Sequence, residues 1–443
     1  MKPIPRTATS VRPSYRWAVV GMLWFICFFN YADRMAISSA LPLLEREYEF
    51  NKEQLGLISS AFMWVYALSA PFAGQVADRV SRKLLILGGL LLWSVATGLT
   101  ALCVKVWQFV FVRGAEGFGE TFYFPASMSM VSDYHAPRTR SRAMSLHQTS
   151  VYAGTIAGSI GTAWLIDGAG LGLAWQTPFL AFGAAGVVLA LGLWFFLREP
   201  ARNEAQHLEA LSAGNCCPQG TPPPIPLWRF LPELARTPTA LLLMLAFIVA
   251  NVVAGVLLSW TTTFIFEKFG GELQEFGPSL FLAATVATLS VQLGSAAGSI
   301  LGGVMADLLR RQWASGRIFV QALGLLSGAP FLSACGLAEN LWAVGASLFL
   351  LGVFKGIYDS NIWASLYDVI DPAQRGTAVG LMNFVGWLGA GVGAYGVGLV
   401  VYEGTPMSHA FATIGSVYAI GAAFLLAAAF LFAPQDISRM EAN

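Results

Sequence analysis

Runs of about twenty residues with almost no charge recur roughly a dozen times along this chain, each long enough to cross a hydrocarbon core of about 30 Å as a helix. Their approximate extents are 16–40, 54–77, 84–104, 106–131, 143–166, 173–197, 239–266, 277–306, 317–337, 342–368, 376–402 and 408–433. Unbroken apolar runs exclude a β-barrel, whose strands alternate. Hydrophobic residues make up 56% of the chain and charged ones only 12%, about half the charge of an ordinary soluble domain. The expected fold is therefore an all-α, multi-pass membrane protein. The first run is too long for a cleaved signal peptide and is read as a retained span.

The net charge of +1 hides the informative distribution. Arg6, Arg12 and Arg16 precede the first span, "DRVSRK" (78–83) follows the second, "HAPRTRSR" (135–142) follows the fourth, and Arg310, Arg311 and Arg317 separate the eighth from the ninth. Alternate loops hold little beyond Arg46, Lys52, Lys105 and Lys268. Short loops rich in Lys and Arg stay on the cytoplasmic side, so both termini are expected there, in a bacterial inner membrane. No nucleic-acid partner is expected. Of five cysteines, Cys27, Cys103 and Cys335 fall in apolar runs and Cys216-Cys217 in the central loop; none has ligand spacing, so no metal, cofactor or disulfide framework is expected.

That central loop, with its stiff "TPPPIP", divides two six-span halves at expected boundaries 1–197, 198–238 and 239–443. The halves repeat. Gly74, Asp78, Arg79, Arg82 and Lys83 after the second span are echoed by Gly303, Asp307, Arg310 and Arg311 after the eighth; Asp133, Arg140 and Ala143 are echoed by Asp368, Arg375 and Ala378 at an offset of 235. Parallel repeats joined by a linker suit a carrier whose bundles rock about a central site.

On these residues the chain resembles the major facilitator superfamily of transporters over almost its whole length. "GQVADRVSRK" is similar to that superfamily's signature between helices 2 and 3, with Ser81 where a glycine is usual. The resemblance implies two six-helix bundles with twelve transmembrane helices. It also implies a gating latch on the cytoplasmic face, for which Gly74, Asp78, Arg79, Arg82, Lys83, Asp133, Arg140, Asp307, Arg310, Asp368 and Arg375 are the candidates. Asp78 near a helix N-terminus is expected to take Arg79 or Arg82 as partner.

Charges inside spans are costly and mark pathways. Asp33 and Arg34 stand in "NYADR", and Arg113, Glu116 and Glu120 fall at i, i+3 and i+7 on one face of the fourth span. At a rise of about 1.5 Å per residue, Asp33 lies roughly 12 Å, Arg113 roughly 10 Å and Glu120 roughly 21 Å from the outer end. Asp33 is thus level with Arg113 and expected to hold it until protonated, when Arg113, with Arg34, is free to engage the negative group of a substrate. Glu120, deepest in lipid, is the second candidate proton carrier, with Arg34 within reach of it. A purely structural network packing helices 1 and 4 is the other reading. Lys355 falls where Glu120 falls under the same offset; either it faces the cavity as an anion contact, or Asp359 one turn on neutralises it. Further candidate substrate contacts are Tyr31, Tyr123, Gln148, Tyr152, Tyr358, Asn361 and Asn383, with His147 and Trp260 beside them.

Two branches of the superfamily share these charges. "GETFYFPAS" and "RSRAMSLHQTSVYAG" resemble the anion/cation symporters, which implies proton-driven uptake of a sugar acid or other small organic anion; "ETFYFPASMSMVSDYHAPRTRSRAMS" and "GLLSGAPF" (324–331) resemble Spinster-like transporters of lysophospholipid and related lipids. Helix 5, "GTIAGSIG", lacks the proline of drug/proton antiporters. No Gly-x-Ser-x-Gly or His-Glu-x-x-His occurs, so an enzyme is not expected. The expected partners are an anionic or amphipathic small molecule, protons and membrane lipid, for a monomer.

Overall fold

A computed structural model describes residues 13–135, 137–168, 174–200, 227–371 and 374–442. Cys216 and Cys217 fall outside them, as do the side chains at the expected gating positions Gly74, Asp78 and Arg79. The helices are α1 (Pro13–Tyr48), α2 (Lys52–Arg79), α3 (Arg82–Thr100), α4 (Val106–Thr121), α5 (Tyr123–Tyr134), α6 (Pro137–Ala163), α7 (Gln176–Phe196), α8 (Leu227–Ala235), α9 (Pro238–Gln274), α10 (Ser279–Arg310), α11 (Gly316–Leu337), α12 (Leu341–Asp359), α13 (Ile362–Tyr367), α14 (Arg375–Tyr402), α15 (Met407–Ala427) and α16 (Ala433–Ala442). Nine spans among the described residues are apolar enough to cross a membrane by composition. The other three expected spans are α1, α6, and α4 with α5, which are only 16 and 12 residues long because the span is broken between them.

Local chemistry sets the breaks. Asn51 accepts from Gln54 N at 2.8 Å while the Gln54 side chain accepts from Asn51 N at 3.0 Å, a reciprocal cap that starts α2. The fourth span is not continuous, as the sequence suggested, but interrupted at Phe122. Pro125 has no N–H and its ring crowds the carbonyl four residues back, Thr121, where α4 ends. The tenth span breaks at Ser360 and Asn361, whose amide bonds the carbonyls of Gly302 and Ile357 at 3.2 Å each. Part of the segment read as linker is the helix α8, because Phe230 and Leu234, one turn apart, are buried.

The two halves pack alike. α1 lies on α6, α2 on α4 and α3 on α7; α9 lies on α14, α10 on α12 and α11 on α15, the same pairs shifted by six spans. Small residues bring these helices together. A Cβ at Gly298 would stand 1.8 Å from the carbonyl oxygen of Val353, and one at Gly356 2.2 Å from that of Ser295. Gly298→Ala is therefore expected to force α10 from α12 and cost about 1–3 kcal/mol, read as a lowered thermal unfolding temperature in detergent.

Between halves, the broadest contact is α2 against α14. Cross-half bonds gather at the end bearing Lys52. Lys52, which pairs with Glu45 of its own half at 2.6 Å, also pairs with Glu267 of the other; Tyr395 Oη donates to Glu53 at 2.8 Å, Arg46 lies 4.9 Å over the Phe266 ring, and Leu280 N donates to Asp167 at 2.8 Å. The protein is closed at that end.

At the opposite end each half carries the same clamp. Arg82 pairs with Asp133, and Arg317 pairs with Asp368 at 3.2 Å; both residues differ by 235. Arg140 Nη2 donates to the Ser132 carbonyl at 3.3 Å and Arg375 Nη2 to the Tyr367 carbonyl at 3.0 Å, each closing a helix C-terminus at the same offset. Arg310 reaches Asp368 at 3.6 Å, and Asp307 takes Arg317 at 3.3 Å. Arg82 also pairs with Glu199 at 3.0 Å and donates to Ser129 Oγ and the Pro200 carbonyl at 3.2 Å each. Lys83 donates its Nζ to the Trp194 carbonyl at 2.7 Å. Partial burial alone raises the Glu199 carboxyl, but hydrogen bonds from Lys83 N, the Arg82 side chain and backbone, and Ser81 outweigh it and hold the group below its usual range. A carboxyl so depressed stabilises the clamp above the ordinary glutamate range and loses that contribution only as pH falls through its lowered value.

Candidate functional site

The charges on α1 and α4 meet in a nearly water-free core. Arg34, Asp33, Arg113, Glu116 and Glu120 are all at most 6% exposed. Arg34 donates Nε and Nη2 to one oxygen of Glu120, at 3.1 and 2.6 Å, and Nη2 also reaches Asn30 at 3.4 Å. Around the guanidinium stand four aromatic rings, with centroids 4.6 Å (Tyr31), 4.8 Å (Phe62), 4.9 Å (Trp387) and 5.4 Å (Tyr66) from its central carbon. The other face of the site holds Arg113, 4.8 Å from Phe62, which pairs with Glu116.

The expected Asp33–Arg113 bond is thus replaced. Glu116 lies three residues from Arg113 on the same helix, so the pair closes without crossing between helices. Both oxygens of Asp33 are buried without a hydrogen-bond partner; its charged neighbours are Glu116, Glu120 and Arg113, with Thr97 nearby.

Beside these charges lies a cavity of about 150 Å³ between the halves, lined by Met35, Ser38, Thr155 and Ser159 of one and Leu258, Thr261, Thr262, Thr288, Gln292 and Lys355 of the other. A smaller void touching Arg34, Arg113 and Trp387 adjoins it, with Met35, Ser38 and Leu258 on the walls of both. Lys355 lies on the cavity wall and is paired there with Asp359. Ser159 bonds Thr288 across the halves at 2.9 Å.

Other expected contacts are not among the residues lining either void. Tyr123 Oη donates to the Leu23 carbonyl at 2.7 Å and meets His147 Nε2 at 2.8 Å, inside the first bundle. Tyr152 is 44% exposed and in electrostatic reach of Lys355; Gln148 is exposed, Asn383 half-buried, and Tyr358 buried in the second bundle's core. Asn361 serves the helix break described above, and Trp260 Nε1 donates to the Ala394 carbonyl at 2.8 Å. The sequence reading missed Phe62, Tyr66 and Trp387, which no spacing distinguishes from packing aromatics. It also passed over "SWTTTF" (259–264), whose run of hydroxyls in an apolar span was a legible sign of a polar wall.

The Major Facilitator Superfamily pattern matches residues 23–291 and 271–441. The human protein spinster homolog 1 is 28% identical over 381 residues, 84% of this chain and 70% of that one. The sodium-dependent phosphate transport protein 1, chloroplastic, of Arabidopsis thaliana is 27% identical over 401 residues, 88% and 74% of the two chains. Among solved structures, a bacterial homolog to the human lysosomal transporter Spinster, inward-facing and unoccupied, superposes with a TM-score of 0.75 at 21% identity, covering 97% of this chain and 98% of that one. The duplicated bundles, the charged core between them and a pattern spanning nearly the whole chain lead to one conclusion: this chain belongs to the Major Facilitator Superfamily of membrane transporters.

Proposed function

We propose that the protein is a proton-coupled symporter of a small organic anion, such as a sugar acid, working by alternating access with both termini in the cytoplasm of a bacterial inner membrane. One observation carries the reading: a buried arginine, Arg34, is held by a carboxylate, Glu120, at the wall of a small void beside the cavity between the halves. A proton on Glu120 releases that guanidinium for an anionic ligand, and the ligand's charge in turn replaces the one lost. The two binding events then favour each other, which is what coupling requires. Asp33, whose buried oxygens find no donor, is the second proton carrier in this scheme. Arg113 is the second anion contact once Glu116 yields it. Hydroxyls of Ser38, Thr155, Thr261 and Thr262, with Lys355 at the far wall, suit the rest of a polar ligand. The gating role belongs to the two arginine–aspartate clamps at the cytoplasmic end.

The Spinster relatives favour a second reading, a lysophospholipid carrier using the same charges for a phosphate headgroup. A cavity of about 150 Å³ leaves no room for an acyl chain, which would then lie outside the bundle. Uptake into vesicles of labelled gluconate, inorganic phosphate and lysophosphatidylcholine, each under an inward proton gradient, an inward sodium gradient or neither, separates these readings. Gluconate accumulation driven by protons alone is expected, with Glu120→Gln retaining exchange but losing accumulation. Gradient-driven accumulation surviving in the Asp33→Asn, Glu120→Gln double variant would sink the mechanism.

A further inference from the structure

Three walls of the aromatic box around Arg34 belong to the bundle that carries it, and the fourth does not. Tyr31, Phe62 and Tyr66 come from α1 and α2; Trp387 comes from α14 in the other bundle. Its position along the α2–α14 contact is particular. From the closed end inward the two helices touch at intervals of about one turn. Gly398 packs under the carbonyl of Lys52 and Gly56 against Ala394, then Ser60 Oγ donates to the Gly391 carbonyl at 2.9 Å. Next comes Trp387, with its ring 5.2 Å from Tyr66 and 6.3 Å from Phe62. Beyond it, a Cβ at Gly380 or Gly376 would meet nothing within 4 Å. Trp387 therefore stands where the bundles part, with its face on the one guanidinium whose counter-charge the proposed function makes variable.

We propose that Trp387 is the positioning residue through which the Arg34–Glu120 pair governs the contact between the bundles, and that it restrains movement of a carrier loaded with a proton but no substrate. The inference rests on the reading of Glu120 as a proton carrier. With Glu120 ionised, the guanidinium is neutralised by a carboxylate and the rings add little. With Glu120 protonated and no ligand present, the four ring faces are the main stabilisation left to a desolvated cation. Removing Trp387 by parting the bundles then costs more than in the unprotonated protein, and a difference of this kind between states is what shifts a conformational equilibrium. An anionic ligand on Arg34 restores a counter-charge and weakens the hold of the ring. Proton-only carriers are retained with the Lys52 end closed, and carriers bearing proton and substrate are free to turn. The charged and titratable groups around the pair are Cys27, Tyr31 and Asp33 on α1, Tyr66 on α2, and Arg113 and Glu116 on α4; Trp387 brings none from α14.

The test needs no identified substrate. In vesicles holding a pH-sensitive dye, the substrate-free proton leak is measured for the wild type, Trp387→Phe and Trp387→Leu. In parallel, a cysteine placed at Gly380 reports the opening beside Trp387 through its rate of maleimide labelling between pH 5 and pH 8 in each background. In the wild type, acid is expected to raise labelling, and Glu120→Gln is expected to hold it at the acid level at every pH. Trp387→Leu is expected to raise the proton leak and flatten the labelling profile by a factor of about 5 to 30, the range a buried cation–π contact supplies, with Trp387→Phe recovering most of both. A residue that merely filled space would change labelling equally at all pH values and leave the leak alone, which overturns the proposal, as does Trp387→Phe failing with Trp387→Leu. A labelling profile that is flat in the wild type itself, or unaffected by Glu120→Gln, removes the proton reading of Glu120 and this inference with it.

Discussion

Arg34→Ala is expected to abolish binding of the transported anion and to lower the stability of the protein at the same time. The pair with Glu120 is all but sealed from water, so deleting the arginine leaves a carboxylate without its cation, at a cost of about 3–5 kcal/mol. The two effects separate in a second variant. Arg34→Ala with Glu120→Gln removes the orphaned charge, so thermal unfolding in detergent should return close to that of the wild type while binding stays absent. Arg34→Lys should recover little of either, because an ammonium cannot set two parallel donors on one carboxylate oxygen while presenting a flat face to four rings. Restored binding in the stabilised double variant would mean that Arg34 only packs helix α1 against α4, the structural alternative left open by the sequence.

Arg82→Ala combined with Arg317→Ala is expected to slow turnover by about tenfold or more, a barrier change of roughly 1.4 kcal/mol, with substrate affinity little changed. Both arginines act at one end of the molecule, far from the cavity, on aspartates that close the same helical junction in each half. Exchanging the charges, Arg82→Asp with Asp133→Arg, should restore part of the rate if the ion pair itself matters. Because Glu199 binds Arg82 and remains charged until well into acid, the contribution of the first clamp should persist from neutral pH to below the ordinary glutamate range of about 4.3. Equal rates in the wild type and the double alanine variant, measured as exchange in vesicles, would remove the clamps from the conformational cycle.

The repeat is readable from loop residues, and it extends beyond the signature positions. The offset of 235 that links Asp133 to Asp368 also carries Arg82 to Arg317, so the second clamp was written in the chain; attention to the signature after the eighth span led to Arg310 instead, which meets Asp368 at a longer distance. Buried charge was equally legible, since five charged residues on two spans stand out against an apolar background. Their partners were not. Depth along a helix put Asp33 level with Arg113, but rise per residue says nothing of rotation, and the short path from Arg113 to Glu116 within α4 decided the pairing.

By itself the sequence determined that this chain crosses a membrane many times, that it does so as two related halves, and that charges on α1 and α4 must find one another, because hydrocarbon tolerates neither unpaired backbone nor unpaired charge. Only the tertiary structure decided which carboxylate holds which arginine, and that Trp387, some 350 residues from Arg34 in the chain, completes the box around it. The reason is that periodicity and spacing describe one helix at a time, whereas the enclosure of a guanidinium depends on the rotation and approach of helices from both bundles, set by glycine contacts such as those joining α2 to α14.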